Sequence, residues 1–179
     1  EAEGTIALLR KAGLNCVMLT GDRQSRAGSL AESLGLDYQA ALLPEAKLAA
    51  IRSLQVAGAV VMVGDGINDA PALAAADVGI ALGSGTDISR HSASVCLLAN
   101  DLLRLPWLVR LARETERTIR WNLFWAFAYN VGGIGLAAVG WLHPVMAAIA
   151  MGLSSLFVVT NSLSLARFEL DGPIMEAGT

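Results

Sequence analysis

Between Arg120 and Arg167 the sequence contains no Asp, Glu, Lys or Arg. A run of that length is about twice the roughly 20 apolar residues that one bilayer crossing needs, so a single soluble domain does not account for it. Cysteine is scarce as well. Cys16 and Cys96 lie far apart with no Cys-x-x-Cys between them, which excludes a disulfide framework and points to two buried, reduced thiols in apolar strand-like runs. Charged residues make up 16% of the chain, against roughly a quarter in soluble proteins. The net charge of −3 is too small to suggest a nucleic-acid partner, and the basic residues gather only beside the uncharged run. Residues 1–11 have neither a basic leader nor an apolar core, so the expectation is that no secretory signal precedes the first part and that this part is cytoplasmic.

What is present divides in two. The first hundred residues alternate helical and strand patterns, the signature of a parallel sheet covered by helices. Ile6, Leu8 and Leu9 suit a short helix ending near Gly13, and residues 16–19 a buried strand running into Thr20-Gly21-Asp22. Residues 25–34 predict a helix stopped by Gly35, followed by a turn that holds Asp37. Pro44 at a first helical position, with Glu45 behind it, opens a helix that carries Lys47 and reaches about Gln55. Residues 59–63 form an all-apolar strand that delivers Gly64-Asp65-Gly66-Ile67-Asn68-Asp69 to a loop at its C-terminal end, where ligand sites of open α/β sheets lie. A short Ala-rich helix over 70–75 and strands over 78–81 and 95–98 complete this part. Gly83-x-Gly85 is read as a turn.

Residues 101–120 predict an amphipathic stalk helix, with Leu102, Leu105, Leu108, Leu111 and Ile119 recurring at near-helical spacing while Arg104, Arg110, Arg113, Arg117 and Arg120 stay polar. Residues 121–142 and 144–165 then predict two membrane-spanning helices, each roughly 33 Å long at 1.5 Å per residue, joined by a tight turn at His143. Five arginines precede the first span and Arg167 follows the second, so the positive-inside rule places the soluble part and the tail, 166–179, in the cytoplasm. Trp121, Trp125 and Trp141 fall near the expected interfaces. Tyr129, Asn130, Met151, Ser154, Ser155, Thr160, Asn161 and Ser162 sit inside the spans and need partners there. Two readings stand: helix-to-helix pairing, helped by Gly132, Gly133, Gly135 and Gly140, or a soft ligand set in which Met151, Ser154 and Ser155 share a helix face and suit Cu(I) better than Mg²⁺ or Ca²⁺.

In the soluble part, Asp65, Asn68 and Asp69 converge where glycines leave room for a ligand, a grouping that suits Mg²⁺ and the phosphate it neutralises. Thr20 and Gly21 offer a hydroxyl and backbone N–H groups to a phosphate, and Lys47 adds a cation.

Taken in order, Thr20-Gly21-Asp22, Pro44 with Lys47, and the stretch from Gly64 to Leu73 resemble the phosphorylation domain of P-type ATPases, a haloacid-dehalogenase-like fold. The resemblance covers nearly the whole chain. It implies that Asp65, with Asp69, holds Mg²⁺, that Asn68 and Asp69 order the site, that Lys47 contacts the phosphoryl group, and that Thr20 and Gly21 bind its oxygens. Asp22 belongs to the same group without an assigned role. Tyr129-Asn130 and Met151-x-x-Ser154-Ser155 resemble the last two helices of copper(I)-transporting members. Zinc-transporting relatives place a Lys and an Asp there, and this chain has neither.

The resemblance thus implies an ATP-driven pump for Cu(I), with Mg²⁺ as cofactor and ATP as substrate, embedded in a plasma or inner membrane. Its partners would be the lipid bilayer and the remainder of the pump: the actuator and nucleotide-binding domains and further membrane helices. The Asp-Lys-Thr-Gly-Thr motif that carries the family's phosphorylated aspartate does not occur in the sequence. The expectation is therefore a C-terminal fragment, inactive alone: residues 1–100 as part of the phosphorylation domain, then stalk, two spans and tail. The alternatives are a truncated regulator of an intact pump and a membrane-tethered phosphatase of the same fold, which would need its own nucleophile.

Overall fold

The computed structural model describes residues 1–64, 67–83, 92–97, 101–141 and 143–170. Asp65, Gly66, Gly85, Leu98 and residues 171–179 lie outside the described residues, as does the side chain of Arg167. The chain forms two compact units, Glu1–Pro106 and Trp107–Thr179.

The first unit runs α1 (Ala2–Lys11), β1 (Val17–Leu19), α2 (Gln24–Leu34), β2 (Asp37–Gln39), α3 (Pro44–Gln55), β3 (Val61–Gly64), a 3-10 turn (Ile67–Asp69), α4 (Ala70–Ala75), β4 (Val78–Ala81) and β5 (Val95–Cys96). The strands make two parallel ladders, β1-β2 and β3-β4-β5. The connections β1–α2–β2 and β3–α4–β4 are the helical crossovers that parallel pairing requires, and α3 leads from one ladder to the other.

Helix ends follow their local chemistry. Gly13 and Gly35 take left-handed φ of 81° and 61°, and in each case the following residue bonds back across the last turn, Leu14 N to Leu9 O at 3.1 Å and Leu36 N to Ala31 O at 2.8 Å. These are Schellman stops, which a residue with a Cβ makes less readily. The guanidinium of Arg10 donates to the carbonyl of Gly35, which ties the end of α2 to α1.

The buried side chains are small. Ala27, Ala31, Ala50, Ala70, Ala72 and Ala81 are buried, and Ile51 and Leu73 are the largest fully buried side chains among the described residues. Gly79 lets α4 lie against β4: a Cβ there would fall well inside contact with the carbonyl oxygen of Leu73, 3.0 Å from its C and 3.2 Å from its Cα. Below this, Asp77 accepts from Val60 N at 2.8 Å and Gln55 Nε2 at 3.2 Å, joining the end of α3 to the start of β3.

Two expectations are corrected. Asp37 lies in β2, not in a turn: Val17, Met18 and Leu19 pair with Asp37, Tyr38 and Gln39. Asp37 disfavours a strand and only Tyr38 of the three favours one strongly, so the pairing with β1 decides the conformation. Cys96 is exposed, on the two-residue strand β5 at the edge of its ladder, while Cys16 is half-buried.

The helix α5 (Arg104–Ala138) begins at the end of the first unit and continues into the second, which also holds α6 (Pro144–Leu170). Stalk and expected first span are thus one continuous helix. It ends before residue 142 because Gly140, with φ 72°, makes the same stop, Trp141 N bonding Leu136 O at 3.0 Å. Asp101 prepares the start, its Oδ1 accepting from Leu103 N at 2.9 Å. The segment Val145–Ala166 is the one candidate span by length and hydropathy among the described residues.

Candidate functional site

The site is built on the loops that leave β1 and β3. Thr20 N donates to Gln39 O at 3.0 Å, Leu42 N to Thr20 O at 3.1 Å, and Ala41 N to Asp22 O at 2.8 Å. The Thr20 hydroxyl accepts from Asp22 N at 3.1 Å. Three main-chain bonds therefore fix Thr20-Gly21-Asp22 against residues 39–42, the fourth closing the turn on itself, with Ala41 held at φ 53° to complete the link. Leu43 follows as the N-cap of α3, Pro44 opens the helix, and Lys47 lies in its first turn, its N–H bonded to Leu43 O at 3.0 Å.

From there Lys47 reaches across to the other loop. Its Nζ donates to Asp69 Oδ1 at 2.6 Å, with the two side chains 13% and 16% exposed. Asp69 is the N-cap of α4, yet its side chain makes no capping bond, although aspartate at that position usually does. The carboxylate instead turns towards Lys47 and lies over Gly64, where a Cβ would stand 3.1 Å from Asp69 Oδ2. A glycine is needed there for close approach rather than for backbone freedom. The ammonium has three donors and this bond takes one, so Lys47 retains donors for an anion. Asp69 in turn neutralises it when no anion is present.

Of the expected phosphate-site residues, the structure joins Lys47 and Asp69 directly and connects Thr20 and Asp22 to Lys47 through residues 39–43. Asn68 is exposed beside Asp69, and Asp22 and Gly21 are exposed on their loop. Among the described residues no cluster of three or more His, Cys, Asp or Glu side chains is placed to hold a metal ion. The role of Gly64 was not foreseen, because a glycine preceding Asp65 carries no signal of what approaches it.

In the second unit the two helices meet through Asn122. Asn161 Nδ2 donates to Asn122 Oδ1 at 2.7 Å and Asn122 Nδ2 to Ser162 Oγ at 3.0 Å. One turn on, the rings of Trp125 and Phe157 meet edge to face at 6.0 Å. These pairs set an antiparallel register that puts Tyr129 and Asn130 level with Met151 to Ser155. No hydrogen bond joins the two sets among the described residues. Ser155 Oγ bonds back to Met151 O at 3.0 Å, and Met151 is exposed. The glycines do not help the helices together, since a Cβ at Gly132, Gly133, Gly135, Gly140 or Gly152 would meet nothing within 4 Å. Asn122 stood outside the expected set because a single amide at the end of an arginine-rich helix reads as a solvated residue.

With this geometry in place, the similarities to known proteins are specific. A family model for haloacid dehalogenase-like hydrolases matches residues 1–77. A cation-transporting P-type ATPase B of Mycobacterium tuberculosis is 48% identical over 94% of this chain, which covers 23% of that protein. Its homologues are P-type metal-transporting ATPases. A copper-exporting P-type ATPase of Staphylococcus saprophyticus is 49% identical over 92% of the chain and 21% of its own length. A zinc-transporting PIB-type ATPase in an E2.Pi state superposes with a TM-score of 0.88 at 38% identity, over 91% of this chain and 27% of that one. The chain therefore spans about a quarter of the P-type ATPases it matches, and its first unit has the haloacid-dehalogenase-like architecture of a parallel sheet with flanking helices.

Proposed function

We propose that this chain supplies the phosphoryl-handling part of a P-type ATPase phosphorylation domain, together with two membrane helices of the pump, and that the complete protein moves Cu(I) across a membrane at the expense of ATP. The observation that carries this reading is the Lys47–Asp69 pair at 2.6 Å, set at the end of β3 and linked by main-chain bonds to the Thr20 loop. A phosphoryl group entering there meets an ammonium, a hydroxyl and backbone N–H donors, all fixed in advance, and such preorganised donors are what phosphoryl transfer needs.

The residues fit Mg²⁺. Asp69 keeps Oδ2 beside Gly64 while Lys47 takes Oδ1, Asn68 offers a second oxygen, and Asp65 follows Gly64 directly in the sequence. One or two carboxylates plus phosphate oxygens are the usual protein share of a Mg²⁺ shell. The ion, when bound, neutralises charge on the transferring phosphoryl group. Lys47 orients that group and balances Asp69, and the Thr20 hydroxyl and Gly21 N–H hold its remaining oxygens.

The phosphorylated carboxylate comes from outside the chain, which contains no Asp-Lys-Thr-Gly-Thr. The ladders are consistent with such an addition: among the described residues β1 is paired with β2 alone, and β3 with β4 on one side, so each leaves an edge that a strand from the remainder of the pump can fill. The alanine-rich core supports the same view, since small side chains alone bury little apolar area.

For the transported ion, Met151 with Ser154 and Ser155, level with Tyr129 and Asn130, gives a thioether and hydroxyls on facing helices, and a soft ligand favours Cu(I). No Lys or Asp lies within residues 121–166 to serve a divalent ion. The soluble unit and tail face the cytoplasm, by the arginines that flank the spans. The test is direct. The purified chain alone is expected to show neither ATP hydrolysis nor an acid-stable phosphoenzyme, whereas the complete pump containing it shows both. Labelled γ-phosphate retained on this chain alone through acid would overturn the proposal.

A further inference from the structure

Among the described residues, Ala41 is the one residue other than glycine with a positive φ, 53°. A Cβ makes that left-handed conformation about five- to thirtyfold less populated than the right-handed one, so something beyond the residue itself holds it there. The side chain is exposed, and packing therefore does not impose it. The main-chain hydrogen bonds do. β2 ends at Gln39, whose carbonyl accepts from Thr20 N at 3.0 Å and so continues the ladder. Beyond it, Ala41 N and Leu42 N both turn to the loop after β1, donating to Asp22 O at 2.8 Å and to Thr20 O at 3.1 Å. Successive N–H groups of an extended strand point to opposite edges. Adjacent donors reach one loop only where the chain turns between them, and Ala41 is that turn.

Both N–H groups are spent on carbonyls, so the link braces the loop rather than binding a ligand. A Cβ at Gly21 would stand 3.4 Å from Leu42 O, which puts loop and linker in contact. The far end of the linker is α3. Leu43 is its N-cap, extended at ψ 162°, and the Leu43 carbonyl accepts from Lys47 N at 3.0 Å. Thr20 and Lys47 stand on different elements, and residues 41–43 carry the position of one to the other.

We propose that Ala41 is a positioning residue for the phosphoryl site: its left-handed backbone sets the Thr20 loop against the first turn of α3, and so fixes the Thr20 hydroxyl and the Gly21 N–H relative to the Lys47 ammonium. The proposal rests on the phosphoryl reading of that site. Strain of this kind persists where its surroundings over-determine it, and it gathers at sites whose geometry matters. Here the bonds from Ala41 N and Leu42 N, with that from Thr20 N to Gln39 O, supply the determination. Replacement of an exposed side chain is ordinarily silent. At Ala41 it should instead control phosphate affinity, through φ alone.

The experiment measures phosphoenzyme formation from labelled inorganic phosphate, with Mg²⁺ and without ATP, in the complete pump carrying Ala41→Gly, Ala41→Asn, Ala41→Leu or Ala41→Val. Glycine and asparagine accept the left-handed conformation. Leucine, close to asparagine in size, accepts it less readily, and the β-branch of valine makes it an outlier. A linker driven from this conformation lowers the competent fraction, and apparent affinity falls by the same factor. Half-saturating phosphate is therefore expected to rise about three- to tenfold in Ala41→Val and less in Ala41→Leu, and to stay near parental in Ala41→Gly and Ala41→Asn. Maximal labelling per folded protein should be retained in all four. Parental half-saturation in folded Ala41→Val overturns the proposal. So does an equal rise in Ala41→Asn, which would assign the effect to side-chain bulk, and so does a lowered unfolding midpoint with half-saturation unchanged, which would make the turn a feature of stability alone. Should Ala41→Val not fold, Ala41→Leu against Ala41→Asn decides by the same criteria. Lys47→Met tests the reading beneath: it should lose phosphate affinity, and if it takes up phosphate like the parent, the phosphoryl site itself is misassigned, whatever Ala41 does.

Discussion

Substituting Gly64 by alanine should separate the geometry of the site from the stability of the fold. A Cβ at residue 64 would stand 3.1 Å from both Cβ and Oδ2 of Asp69 and 3.3 Å from its Cγ. Ordinary contact begins at roughly 3.5 Å, so the Asp69 side chain must give way by about 0.4 Å. Lys47 holds that carboxylate from the other side at 2.6 Å, and the displacement therefore passes into the ion pair. Stability should hardly change: Gly64 has no positive φ, and the roughly 0.4–1 kcal/mol that alanine contributes through the unfolded state offsets a strain of similar size. Site geometry is less tolerant. If about 1 Å of misplacement costs on the order of a hundredfold, about 0.4 Å costs about sixfold. In the complete pump, Gly64→Ala should therefore slow phosphoenzyme formation from labelled ATP about three- to tenfold, with the thermal unfolding midpoint nearly that of the parent. A parental phosphorylation rate would refute the placement of Asp69 over Gly64. A loss that merely tracks loss of folded protein would refute the separation of site from fold.

Gly79→Ala should behave in the opposite way: its Cβ would press on the backbone of Leu73, so α4 must move off β4 at a cost of about 1–3 kcal/mol, read as a lowered denaturation midpoint. A parental midpoint would contradict the packing of α4. Asp77 has its pKa lowered by the Val60 N–H and then by the Gln55 amide; it therefore contributes stability above the unfolded carboxylate pKa of about 3.9, lost as pH falls through the lower folded value. Asp77→Asn should remove that part of the acid-side slope and leave the neutral range without it, and an unchanged acid limb would contradict the assignment. Met151→Leu nearly conserves volume while removing the sulfur. In the complete pump it should lower Cu(I)-stimulated ATPase activity and bound Cu(I), with phosphorylation by inorganic phosphate retained; parental copper binding, with Asn130→Ala equally silent, would reduce both clusters to packing.

The helices and most strands of the first unit were legible because their signals are local. Pro44 and Gln55 bound α3 in the structure as the pattern indicates, and Ala70–Ala75 and Val78–Ala81 fall where alanine runs and apolar runs place them. The strand β2 was not legible, because Asp37 and Gln39 become strand residues only by pairing with β1. For the site, residue order alone suggested that Lys47 and Asp69 serve one centre, and they meet at 2.6 Å. What order does not reveal is which atom turns where: that Asp69 leaves its cap position to face Lys47, or that Asn122 bonds Asn161 and Ser162. Those depend on tertiary approach between segments distant in sequence. The glycines of α5 mislead in the opposite direction, since their spacing suggests close helix pairing and the space around them is open.

The most direct measurement is phosphoenzyme formation from labelled ATP by the complete pump, comparing the parent with Asp65→Asn, Lys47→Met and Asp37→Asn at matched folded protein. Asp65→Asn removes a carboxylate from the proposed Mg²⁺ shell while keeping the size of the side chain, and Lys47→Met removes the ammonium bonded to Asp69. Both should abolish most of the acid-stable label, whereas Asp37→Asn, exposed on β2, should retain it. Equal labelling of all four proteins would contradict the assignment of this chain as the phosphoryl-handling part of the pump.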